Sequence, residues 1–165
     1  MGFLRNLFGG GNKGRLFTPP PPPSASEVAS AESFLKIKFP ASFVSFMHEA
    51  RPMQLNYCAV FYWVGGEGLR EGNIVVSNRR EREEASSPLP SFLISFYNDG
   101  MGNPVCFDTR YPAEDGEYPI VFWDHELSAE ENLDASTKAS EGDESAGIVA
   151  RSFPDWLKTQ DIKSV

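Results

Sequence analysis

Cysteine is scarce: Cys58 and Cys106 are the only two in 165 residues, and both sit in apolar runs. That excludes a disulfide framework and reads as buried thiols of a reducing compartment, the cytosol by default. Basic side chains are also few, 15 Lys and Arg against 23 Asp and Glu, which leaves a net charge of −8. Phosphate contacts need clustered Lys and Arg, so this deficit argues against direct binding to nucleic acid and favours a basic protein partner. Long apolar runs are missing too. Phe3, Leu4, Leu7 and Phe8 fall on one helical face, but Gly9, Gly10 and Gly11 follow at once. The group is too short for a secretory core or a stable membrane insertion, and no export signal is evident. Met1-Gly2 has the form of an acylation start, yet Asn6 stands where that pattern needs Ser or Thr.

What is present is core material. At 41% hydrophobic with 13 Phe, the chain can fill the centre of one domain of this size. Charge divides it unevenly. Residues 1–23 hold Arg5, Lys13 and Arg15 and no acid, so the remaining 12 basic and 23 acidic side chains give the rest a net −11. We read 1–23 as a disordered basic leader ending in the extended polyproline spacer Pro19–Pro23, 24–160 as one domain, and 161–165 as a tail. The leader's alternative reading is a weak interfacial or docking peptide.

Within the domain, Ser24 and Glu27 have capping-box spacing, and Val28, Ala31 and Leu35 predict a helix from about Ala25 to Leu35. Pro40 suits the first turn of a second helix with Phe43, Phe46 and Met47 on one face. Tyr57–Val64 reads as a buried strand in the middle of a sheet. Arg79–Glu84 reads as a solvated helix face. Phe92–Tyr97, Pro104–Asp108 and Tyr118–Trp123, separated by the Asn98–Asn103 turn and a polar turn to Gly116, predict an antiparallel meander. Glu126–Gly147 is acidic and poor in large apolar residues, which predicts a loop or a marginal helix. Ser152 with Asp155 starts a closing helix whose docking face is Phe153, Trp156 and Leu157.

Few residues invite chemistry. Cys106, Asp108, Asp124 and His125 contain the types of a cysteine nucleophile, but Cys106 lies inside a strand, whereas a reactive thiol needs an exposed, electropositive site. Asp124, His125 and Glu126 offer metal-ligand types, yet neighbouring strand residues face opposite ways and no second pair is recognisable. Asn98–Asn103 lacks the pattern of a phosphate loop, and Arg110 and Pro112 occupy positions where a calcium loop needs oxygen ligands. We assign no cofactor, no metal and no catalytic residue.

The order of features resembles a known family. Glu32, Leu35, Lys38-Phe39-Pro40, Phe43 and Phe46 are similar to the E-x-x-L-G-x-x-L-P-x-x-[YF]-x-x-F/L opening of the SUKH superfamily, the Smi-one/Knr-four type, with Lys36 in place of the usual Gly and Phe39 in place of Leu. Leu93-Ile94-Ser95-Phe96, Asn98-Asp99-Gly100-Met101-Gly102-Asn103, Val105-Cys106-Phe107-Asp108 and Pro119–Glu126 resemble its central block. Ala150–Leu157 resembles its last helix. The resemblance covers about residues 26–158. It implies an α+β domain with a central, mainly antiparallel sheet, two N-terminal helices and a C-terminal helix. It also implies a non-enzymatic binding module. Many bacterial members are immunity proteins that neutralise a toxin, often a nuclease or deaminase, by stoichiometric binding. Fungal members are signalling scaffolds, which is the alternative role here, with the leader and spacer as a second docking element.

The candidate partner face comprises Asp99, Asp108, Asp124 and Glu126, with Trp63, Tyr97 and Trp123 as aromatic anchors. Two alternatives stand beside it: the aromatics belong to the core, and Asp108 and Asp124 brace turns.

Overall fold

Ser24 starts the first helix as its spacing predicts. Its hydroxyl accepts from the Glu27 N–H at 3.3 Å while the Glu27 carboxylate takes the Ser24 N–H at 2.7 Å, so two donors that no helical carbonyl can reach are satisfied. The structure is a computed structural model that describes residues 21–49, 60–61, 63–65, 72–140 and 148–160. The apolar leader group, Tyr57, Cys58, residues 141–147 and the tail lie outside these. Helix α1 (Ala25–Leu35) is followed by α2 (Ala41–Glu49), strand β1 (Val60–Phe61), α3 (Ile74–Glu83), β2 (Leu93–Asn98), β3 (Pro104–Asp108), β4 (Ile120–Phe122), α4 (Ala129–Ser140), β5 (Ile148–Ala150) and α5 (Phe153–Thr159).

The strands form one antiparallel sheet in sequence order, β1-β2-β3-β4-β5. The fold is therefore α+β with a meander at its centre, as expected. Two strand assignments need correction. The segment expected mid-sheet supplies β1, which among the described residues stands at the edge and pairs through Val60 with Asn98 and Phe61 with Tyr97. Its burial comes from helices, since Phe46 of α2 and Trp156 of α5 both pack on Phe61. A strand that the sequence does not announce, β5, lies beyond β4.

Alternation along the strands divides the core in two. Ile94, Phe96, Val105, Phe107 and Ile120 face α1, α2 and α5 in an aromatic cluster where Phe43 touches Phe96, Phe107 and Phe153 at ring separations of 5.1–5.9 Å. Leu93, Cys106, Val121 and Trp123 face the other way, under Leu89 and the Ala129 and Leu133 side of α4. The acidic segment expected as a loop or marginal helix thus contributes a helix of 12 residues, anchored by buried polar groups, Asn132 and Ser136, as well as by Leu133. A register shift between Ser95 and Tyr97 breaks the alternation, so that Phe96 and Tyr97 both meet Trp156, at 4.9 and 5.0 Å.

Beyond the short β1, the backbone of Ser95 finds a substitute for a strand. Asn78 of α3 is fully buried, its Oδ1 accepts the Ser95 N–H at 2.8 Å, and its Nδ2 donates to the Ser95 carbonyl at 2.7 Å. The side-chain amide thereby satisfies both backbone groups of a strand residue. Helix α3 does carry a charged face, as expected, although Arg82 turns inward and donates to the carbonyls of Ser91 and Leu93.

Candidate functional site at the hairpin end of the sheet

The β2–β3 turn is built by its own side chains. Asn98 Oδ1 accepts the Gly100 N–H at 2.9 Å, and Asp99 Oδ1 accepts from Met101 and Asn103 at 2.8 and 3.0 Å. Gly100 and Gly102 hold φ of 84° and 102°, the left-handed region that other residues resist. Gly102 is also needed for space: a Cβ there would come within 3.3 Å of the His125 ring.

Asn103 joins this turn to the one after β4. A carboxylate can only accept, so the Asn103 Nδ2 that lies 2.7 Å from Asp99 Oδ2 is a donor, which directs Oδ1 to His125. That oxygen accepts the His125 backbone N–H at 3.2 Å and lies 2.7 Å from Nδ1, so the ring carries a proton on Nδ1 and donates it to Asn103. Asp124 holds the second turn: its Oδ1 accepts from the Glu126 N–H at 2.8 Å, and its own N–H and carbonyl are taken by Asn132 of α4 at 2.9 and 2.7 Å. The sheet end, both turns and α4 are therefore connected by one hydrogen-bond chain.

Exposed on this end are Met101 (71%), Leu127 (40%) and Phe122 (39%), together with Glu126 and, half-buried, Asp99 and Asp124. Of the seven residues expected to face a partner, the structure brings these three acids together and withdraws the other four. Asp108 is fully buried in a two-pronged pair with Arg110, at 3.0 Å to Nε and 2.7 Å to Nη2. The guanidinium lies 4.2 Å above Phe92 and reaches Ser136 and Thr137 of α4, so Asp108 clamps α4 to the sheet. Trp63 is 2% exposed against Phe46, Tyr97 is 5% exposed against Phe61 and Trp156, and Trp123 is 1% exposed with Nε1 donating to the Ser87 carbonyl at 3.1 Å. The aromatics belong to the core because the strand register and the shift at Ser95 turn them inward. Burial, with the charge of Asp99 adding to it, pushes the Tyr97 hydroxyl up to about 12.

The sequence reading missed Met101, Asn103 and His125 as parts of this end. The available signal was the spacing of Gly100-Met101-Gly102-Asn103, a large apolar residue between two turn glycines with an amide immediately after.

Cys106 does not form a nucleophilic site. It is fully buried, and burial raises its pKa well above the ordinary thiol value, with Glu81 and Asp108 adding in the same direction. Asp108 is committed to Arg110, and the Nδ1 of His125 to Asn103. Among the described residues no three His, Cys, Asp or Glu side chains converge as metal ligands, and no helix is long and apolar enough to cross a membrane.

A search of curated proteins finds no match to the chain. The model of the SMI1/KNR4 family (SUKH-1) matches residues 22–159, nearly the whole of the part described and all five strands. That family is known for immunity proteins and related protein-binding domains and is generally non-catalytic. By its motifs, its meander and this match, the chain belongs to the SMI1/KNR4 family (SUKH-1).

Proposed function

We propose that the protein is a cytoplasmic immunity protein that neutralises a basic toxin domain of the nuclease or deaminase class by stoichiometric binding through the hairpin end of its sheet. One observation carries this reading: exposed Met101 and Leu127 stand on the same two Asn103-linked turns as Asp99, Asp124 and Glu126, and the backbone of those turns is already fixed by hydrogen bonds. A pre-ordered surface avoids the entropy of ordering on binding, an apolar centre supplies desolvation, and an acidic rim attracts a basic partner. Net charge −11 outside the leader extends that attraction beyond contact range.

The test is co-expression with a panel of basic nuclease and deaminase toxin domains, scored by survival and by isolation of a one-to-one complex. Glu126→Lys with Met101→Lys changes exposed side chains that do not hold the turns, so it should abolish rescue while the circular dichroism spectrum is retained. If the natural chain rescues no toxicity and instead forms stable complexes with signalling or envelope proteins, the immunity role is wrong and the scaffold role replaces it.

A further inference from the structure

The exposed large apolar residues of the described chain fall into two groups. Met101, Phe122 and Leu127 belong to the hairpin end, whereas Phe34 on α1 and Val76 on α3 are 55% and 46% exposed on a flank that the proposed function leaves unused. The two helices pack against each other there, and an open groove runs between them, lined by Ser26, Ser30, Ala31, Phe34, Val64 and Val75. Ser26, Ser30 and Phe34 are four residues apart, one stripe down α1. Near the helix start Gly65 lines the groove, with φ of 82° and no room for a Cβ, which would come within 2.8 Å of the Glu27 carboxylate.

The leader carries the counterpart of this groove. Phe3, Leu4, Leu7 and Phe8 recur at the spacing of a single apolar stripe on a helix. We propose that this stripe docks in cis along the α1–α3 groove and covers Phe34.

Three observations select this occupant. The first is where the tether begins: Pro23 is buried, so the leader departs from the start of α1, beside the mouth of the groove at Ser26. The second is reach. Residues 9–22 span up to about 46 Å at roughly 3.3 Å per residue, while α1 is about 16 Å long at 1.5 Å per residue. The Gly9–Gly11 stretch supplies the bend that the stiff prolines cannot. The third is charge, because Arg5, Lys13 and Arg15 return to a domain of net −11, with Glu27 lining the groove itself. A tether of this length holds the segment at an effective concentration on the order of millimolar, so a contact too weak to form between separate molecules is populated within one. Docking here does not depend on the identity of any toxin.

Hydrogen exchange of the full chain and of a chain beginning at residue 19 tests the proposal. In the full chain the amides of 26–34 and 73–76 should exchange at least threefold more slowly, and a peptide of residues 1–16 added to the trimmed chain should restore that protection. Phe34→Asp, and separately Leu4→Asp with Leu7→Asp in the full chain, should remove it, with far-ultraviolet circular dichroism reporting an intact fold. Equal exchange in the two chains overturns the proposal. Protection that rises with protein concentration also overturns it, by placing the leader in the groove of a second copy. So does binding of the full chain to anionic lipid vesicles with exchange in the groove unchanged from the trimmed chain.

Discussion

Lys36 occupies the position where the family pattern has glycine, and the structure shows the physical reason for that preference. Its φ of 58° and ψ of 43° put it in the left-handed region at the end of α1, where its N–H reaches the Glu32 carbonyl. A residue with a Cβ is strained there. Lys36→Gly should therefore stabilise the protein by about 0.5–1 kcal/mol in urea unfolding, the relief of strain exceeding the entropy that glycine adds to the unfolded chain. Asn78 is the opposite case. One polar residue in the polar run Ser77–Glu81 gives no sign in the sequence that it completes a sheet, because its role depends on where α3 lies against β2. Asn78→Leu would leave the Ser95 N–H and C=O buried and unpaired, and should cost about 2–4 kcal/mol in the same measurement. The acids expected at the interface divide on similar grounds. Arg110 two residues on is the one sequence sign that separates Asp108 from Asp99, and the fold adds Ser136 and Thr137 of α4 around that pair.

Helix starts were more legible than strand positions, since a cap is written within four residues while a strand's neighbours are not. Three helices begin with a serine whose hydroxyl accepts from the N–H three residues on: Ser24 before α1, Ser128 before α4 and Ser152 before α5. The first and last were evident from spacing, and the middle one was hidden in a segment judged by its lack of apolar residues. Hydrogen bonds from the capping serines hold Glu27 and Glu131 below their ordinary carboxyl values. Asp155 is lowered first by Lys158 and then by Ser152. A carboxyl whose folded pKa is depressed contributes stability above its unfolded value and loses that contribution as pH falls through the folded one. The urea midpoint should thus be level at neutral pH and decline below about pH 4.5, the ordinary carboxyl value. The triple variant Glu27→Gln, Glu131→Gln and Asp155→Asn should start lower and decline less steeply. An equally steep decline in that variant would assign the acid sensitivity to other carboxyls.

For the whole molecule, the order of helix and strand signals and the family resemblance made the α+β class legible, and composition gave only the domain's net negative charge, a sum over many residues. It could not separate core aromatics from surface ones. Trp63, Tyr97 and Trp123 look alike in sequence to interface anchors, and their burial follows from the strand register and from α2 and α5. If the acidic domain captures a basic partner, the association rate should fall at least tenfold between 50 and 500 mM salt, with a smaller change in dissociation, as stopped-flow mixing would read. A rate insensitive to salt would show that contact chemistry alone selects the partner.

The order of the sheet bears on how the protein is made. Each strand pairs with the one before it in the chain, and β2, β3 and β4 are joined by short turns, so these central hairpins can form during synthesis with little loop to close, whereas β1 and β5 join across the longer connections that carry α3 and α4. The centre behaves differently. Phe153 and Trp156 of α5, the last described helix, touch Phe43, Phe46, Phe61, Phe96 and Tyr97 from three earlier elements, α2, β1 and β2. A nascent chain halted after Ala150 should hold its hairpins yet bind a hydrophobic dye and yield to protease, and become resistant once Trp156 has been added. Most of the synthesis time would then be spent with an open aromatic core, which makes this protein a natural client for chaperones that wait at the ribosome.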